Sequence, residues 1–138
     1  MGDERFRRGG WLHRRALSFR YAGQGIVWLF RSQWNARLEL AAGVLVIAAG
    51  AFFRIQPWEW AACLLCIGAV LTLEAVNTAI EAVVDLVSPQ HHPLAGRAKD
   101  VAAGAVLLAS LAACAVGGLI FLPKIWALLA QGATPLGW

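Results

Sequence analysis

Apolar residues in this chain come in long blocks, and the charges gather at the block edges. Leu40 to Phe53 and Val101 to Leu122 contain no charged residue at all. The second run has the length that about 30 Å of hydrocarbon requires of a helix. Between them, Trp58 opens an apolar stretch that no Pro or Gly cluster interrupts before Ser88-Pro89, while Gln56-Pro57 breaks the chain just ahead of it. The pattern predicts spans over about 36–54, 58–87 and 100–122. Upstream, over about 11–34, Trp, Leu, Phe, Ile and Val alternate with Arg14, Arg15, Arg20 and Arg31. That mixture predicts a basic amphipathic helix lying at the headgroups. Residues 1–10 read as a flexible basic leader and 125–138 as a tail beyond Pro123-Lys124. The predicted fold is all-α and membrane-integral: three transmembrane helices plus an N-terminal amphipathic surface helix.

Composition supports lipid as the main solvent. Of 138 residues, 59% are hydrophobic and only 14% charged, which excludes an ordinary soluble domain. So short a helical chain buries little surface by itself, so association of copies is expected. The net charge of +4 does not indicate nucleic acid, because the arginines precede an apolar block and are not interleaved with stacking aromatics. Cys63, Cys66 and Cys114 lie inside apolar runs and read as small hydrophobes. Residues 1–15 lack the apolar core of a cleavable signal.

Ten of the twelve basic residues fall before the first span or in the 88–100 connector, leaving only Arg54 and Lys124 on the other side. This bias places the amino terminus and the connector in the cytoplasm of a multi-pass cell-membrane protein. The tryptophans agree: Trp58, Trp60 and Trp126 fall at the outer interface, and Trp11, Trp28 and Trp34 at the inner one.

The inner half of the second span departs from the apolar rule. Glu74, Asn77, Glu81 and Asp85 are spaced so that all four share one stripe of a helix. Carboxylates there repel one another and are costly in lipid unless cations accompany them. Lys99, Arg97, the arginines of the surface helix, or divalent metal ions meet that need. A carboxylate partly withdrawn from water suits a general base near neutral pH, which singles out Glu74, the deepest. The stripe could instead form ion pairs between helices or extend into water, but Ala79-Ile80 and Ala82-Val83-Val84 keep most of that surface apolar. His91 and His92, in the connector, are where a phosphate donor would approach, although such a pair is more often part of a turn. The chain has no phosphate-binding glycine loop and no protein-kinase catalytic loop.

The segments Glu74-Ala-Val-Asn-Thr-Ala-Ile-Glu-Ala-Val-Val-Asp85 and His92-Pro-Leu-Ala-Gly-Arg-Ala-Lys-Asp-Val-Ala-Ala-Gly104 resemble the prokaryotic diacylglycerol kinase family. The likeness extends over roughly 18–123 and includes Tyr21, Gly25 and Asn35-Ala-Arg37. It implies a lipid kinase over 11–124, a homotrimer with active sites shared between subunits near the cytoplasmic face, ATP as co-substrate and Mg2+ as cofactor. By position, Glu74 would be the base for the lipid hydroxyl, Asn77 would orient it, and Glu81 would hold magnesium. Lys99 would neutralise phosphate charge and Asp100 would support the nucleotide. Arg14, Tyr21, Gln90, His91 and His92 would contact nucleotide, and Ser18 and Arg37, with Glu74, would meet the lipid. Gln33 stands where many members have a second metal-ligating Glu and offers a neutral oxygen instead. Gln90-His91 likewise replaces a more familiar Glu-Tyr. Pro89 and Pro93 make the connector look like that of the undecaprenol branch. Since no side chain presents itself as a phosphorylated intermediate, direct in-line transfer of the ATP γ-phosphoryl group to undecaprenol or diacylglycerol is expected. A non-catalytic three-helix protein, such as a channel or complex subunit, is the alternative; it would not require Lys99-Asp100 beside the acidic stripe.

Overall fold

Four helices follow one another in the computed structural model, which describes residues 10–132: α1 (Trp11–Ser32), α2 (Trp34–Phe53), α3 (Pro57–Val87) and α4 (Pro93–Gly132). The leader read over 1–10 lies outside the described residues except for Gly10, as does the end of the 125–138 tail. Packing divides the described residues into two units, with the boundary between Trp34 and Asn35.

The first unit is α1. Its apolar side chains share the helix surface with arginines, and the Arg15 guanidinium stacks over the Trp11 ring at 5.4 Å. The helix stops because Gln33 adopts an extended conformation, φ −105° and ψ 121°, while its N–H still donates to the Leu29 carbonyl.

The second unit is α2, α3 and α4, each long and apolar enough to cross a membrane. Large apolar side chains such as Leu65, Leu108 and Leu119 point outward, as they must where lipid replaces water. α3 packs most closely on α4. α2 approaches α3 through glycine: a Cβ on Gly43 would stand 3.1 Å from Ile67, and one on Gly50 2.9 Å from Trp60. These two contacts fix an antiparallel register between α2 and α3.

Arg54 ends α2 in the left-handed region, with φ 50°. The Arg54 N–H donates to the Ala51 carbonyl and the Ile55 N–H to the Gly50 carbonyl, the paired bonds of a Schellman cap. Ile55, the residue after Arg54, is buried beside Cys63 and Ile120. A non-glycine residue held left-handed costs about 1–2 kcal/mol, so Arg54→Gly is expected to stabilise the fold by about 1 kcal/mol. Chemical denaturation in mixed micelles would measure it.

At the same end, Glu59 ties three segments together. One carboxylate oxygen accepts the Gln56 N–H at 2.7 Å, completing a capping box, and the other accepts from Lys124 Nζ at 2.8 Å. Glu59 is buried, so Lys124→Met leaves a charge without its partner and lowers the thermal midpoint. Adding Glu59→Gln recovers part of that loss, because the unpaired buried charge is the costly state.

α4 differs from the sequence expectation at both ends. It begins at Pro93, ahead of the expected span, because Pro fits the first helical position and His92 Nδ1 accepts the Leu94 N–H at 3.2 Å as a cap. It also runs through Pro123 to Gly132, where the sequence alone suggested a span ending near 122 and a tail from 125. Pro123 removes one backbone donor, a defect tolerated in membrane helices, and the Ile125-Trp-Ala-Leu-Leu-Ala130 stretch is a good helix former.

Candidate active site

Helical spacing brings the polar residues of α3 onto one face, and packing then buries part of that face. Glu74 is 3% exposed, Asn77 7% and Thr78 3%, whereas Glu81 is half-buried and Asp85 open to solvent. The stripe therefore grades from the interior outward over about three turns. Asn77 Nδ2 donates to Glu81 Oε1 at 3.1 Å, one turn along, and so fixes that carboxylate's orientation. Glu74 stands close enough to Glu81 for their charges to interact.

Glu39 of α2 also faces this region. The register set by Gly43 and Gly50 carries it to within a turn of Glu74, and the two carboxylates interact electrostatically. Glu39 Oε2, Asn77 Oδ1 and Thr78 Oγ1 are buried without a hydrogen-bond partner among the described residues. Buried oxygens of this kind demand a donor or a cation. In the sequence Glu39 is only a charge at the edge of the charge-free run that starts at Leu40, and the α2–α3 register is what turns it toward the stripe; Thr78 is an ordinary helix residue there. Glu39 further lines a cavity of about 320 Å³ that extends toward Cys63, Cys66 and Cys114, all free thiols.

Lys99 and Asp100 occupy the second turn of α4. The Lys99 ammonium meets Asp85, not Glu74 or Glu81, and so bridges the end of α3 to the start of α4. Gln90 and His91 are exposed on the 88–92 connector, whose Ser88 hydroxyl donates to the Gln90 carbonyl. His92 commits Nδ1 to capping α4, which leaves Nε2 as the ring atom able to meet a ligand. Arg37 lies exposed in the first turn of α2. The remaining residues singled out from the sequence belong to the first unit. Arg14, Ser18 and Tyr21 are exposed on α1, with the Ser18 hydroxyl donating to the Arg14 carbonyl, and Gln33 is the extended residue that ends the helix. Within the second unit, then, the fold gathers Glu39, Glu74, Asn77, Thr78 and Glu81 in one group and Asp85 with Lys99 in another.

A recessed acidic stripe beside a lysine near a polar connector, on helices that cross a membrane, suits phosphate chemistry at a lipid surface. The model of the family described as prokaryotic diacylglycerol kinase matches residues 20–121. The chain belongs to the prokaryotic diacylglycerol kinase family. It is similar to an undecaprenol kinase of Bacillus subtilis, with 44% identity over 83% of this chain and 93% of that protein. A diacylglycerol kinase of Synechocystis is 45% identical over 82% of this chain and 65% of its own length. The Escherichia coli diacylglycerol kinase is 29% identical over 72% of this chain and 80% of that protein. As a member of this family the chain is a multi-pass membrane lipid kinase that phosphorylates a lipid alcohol.

Proposed function

We propose that the reaction is direct transfer of the ATP γ-phosphoryl group to the hydroxyl of a membrane lipid alcohol, at the cytoplasmic face, with the α3 stripe as its centre. The observation that carries this reading is the recessed carboxylate of Glu74, one end of a graded stripe whose other end meets solvent beside Lys99. Glu74 takes the hydroxyl proton as the lipid oxygen bonds to Pγ; the bond from Pγ to the bridging oxygen breaks, and ADP leaves. Asn77 holds Glu81 in position, and Lys99 offsets phosphate charge. Glu81 would hold magnesium, with the Asn77 amide oxygen available as a neutral ligand and, by the family resemblance alone, Gln33 as another; the ion would neutralise and orient the phosphates when bound. The unpartnered buried Asn77 Oδ1 beside a carboxylate fits such a hard cation. Asp100, Gln90, His91, the Nε2 of His92, Arg14 and Tyr21 are the nucleotide contacts in this reading, and Ser18 and Arg37 meet the lipid.

The kinase unit is residues 11–124, and it acts as a homotrimer. The few side chains that one copy of so short a chain buries support association. The cytoplasmic placement of the amino terminus rests on the ten-to-two distribution of basic residues. We place undecaprenol ahead of diacylglycerol as acceptor, on the proline-flanked connector and the likeness to the Bacillus subtilis enzyme along almost its whole length. Purified protein in bilayers with Mg2+ and labelled ATP, offered the two alcohols in parallel, tests this. Faster labelling of undecaprenol supports the assignment, a preference for diacylglycerol reverses it, and labelling of neither contradicts the proposed reaction.

A further inference from the structure

Asp85 lies in the last turn of α3, where the helix dipole disfavours an anion, and Lys99 lies in the second turn of α4, where the dipole gives its charge no support. Their pair is open to solvent, with the side chains 67% and 35% exposed, and such exposed pairs add little to folding. The arrangement nevertheless fixes one thing well. A lysine is a compact charge on a flexible four-carbon stem, and that charge is held by Asp85, which follows Glu81 on the stripe by one helical turn, roughly 6 Å along the axis of α3. An ammonium has three donors, and Asp85 uses one, so two remain for phosphoryl oxygens.

We propose that Asp85 is a positioning residue for the nucleotide, setting the Lys99 ammonium at the solvent end of the acidic stripe before the phosphates arrive. This rests on the reading that Lys99 meets the ATP phosphates. Phosphate binding does not require the pair to break, so Asp85 lowers the ordering cost of Lys99 and does not compete for it.

The test is steady-state kinetics of the full chain in bilayers, varying ATP at saturating lipid. Asp85→Asn is expected to raise KM for ATP about three- to tenfold, with kcat within about twofold of the parent. Asp85→Glu, which keeps the charge, recovers most of the loss. In a Lys99→Met background, which is itself crippled, Asp85→Asn adds no further change. An unchanged or lowered KM in Asp85→Asn, with Lys99→Met crippled, overturns the positioning role alone. Parent-like kinetics in Lys99→Met overturn the reading of Lys99 and the positioning role with it. A merely structural tie between α3 and α4 would lower the thermal midpoint equally in both single variants and leave KM for ATP unmoved.

Discussion

Glu74→Gln is expected to lower kcat by roughly 10²- to 10⁴-fold while leaving the protein folded and able to bind nucleotide. The substitution keeps the side chain's volume in the buried stripe and removes its charge together with its capacity to accept a proton. KM for ATP should therefore change little, because in the proposed reaction the phosphates meet Lys99 and the magnesium held by Glu81, not the base. Binding of a non-hydrolysable ATP analogue, measured alongside labelled phosphoryl transfer, separates the two effects. A fall in turnover matched by lost nucleotide binding would point to a collapsed site and not to a missing base.

Glu81→Gln should act differently. Removing a charged oxygen that Asn77 holds in place raises the Mg2+ concentration needed for half-maximal activity. The shift should be at least the roughly 10- to 100-fold that outer-shell partners of metal sites carry. High Mg2+ should restore part of the activity in this variant and none in Glu74→Gln. Titrating Mg2+ at fixed ATP in both proteins shows the contrast. Gln33→Glu, which adds a charge at the end of α1, is the natural companion, since a lowered Mg2+ requirement would bring that residue to the metal.

The membrane-crossing helices were legible because lipid imposes a coarse rule: charge-free runs of sufficient length leave few alternatives. The α3 stripe was legible for a similar reason, since residues three and four apart on a helix must share a face. What escaped depends on contacts between segments. The start of α4 at Pro93 relies on a histidine as the capping residue, an uncommon choice that composition does not advertise. Its passage through Pro123 reflects surroundings that tolerate a missing backbone donor, whereas proline by itself signals a stop. Glu39 looked like an interfacial charge because only the α2–α3 register, set by Gly43 against Ile67 and Gly50 against Trp60, turns it toward Glu74. Lys99 was expected as a counter-charge to the stripe in general. The fold gives it to Asp85, the outermost member, and keeps it clear of the deeper carboxylates.

Whether the stripe grips a metal–nucleotide complex can be read with Mn2+ as a paramagnetic stand-in for magnesium. Electron paramagnetic resonance of the protein in bilayers, with a non-hydrolysable ATP analogue, should show bound Mn2+ whose affinity falls at least about tenfold in Glu81→Gln and is kept in Glu74→Gln. Mn2+ affinity indifferent to Glu81 would mean that the acidic face of α3 does not hold the phosphate donor's metal, and the proposed reaction centre would have to lie elsewhere.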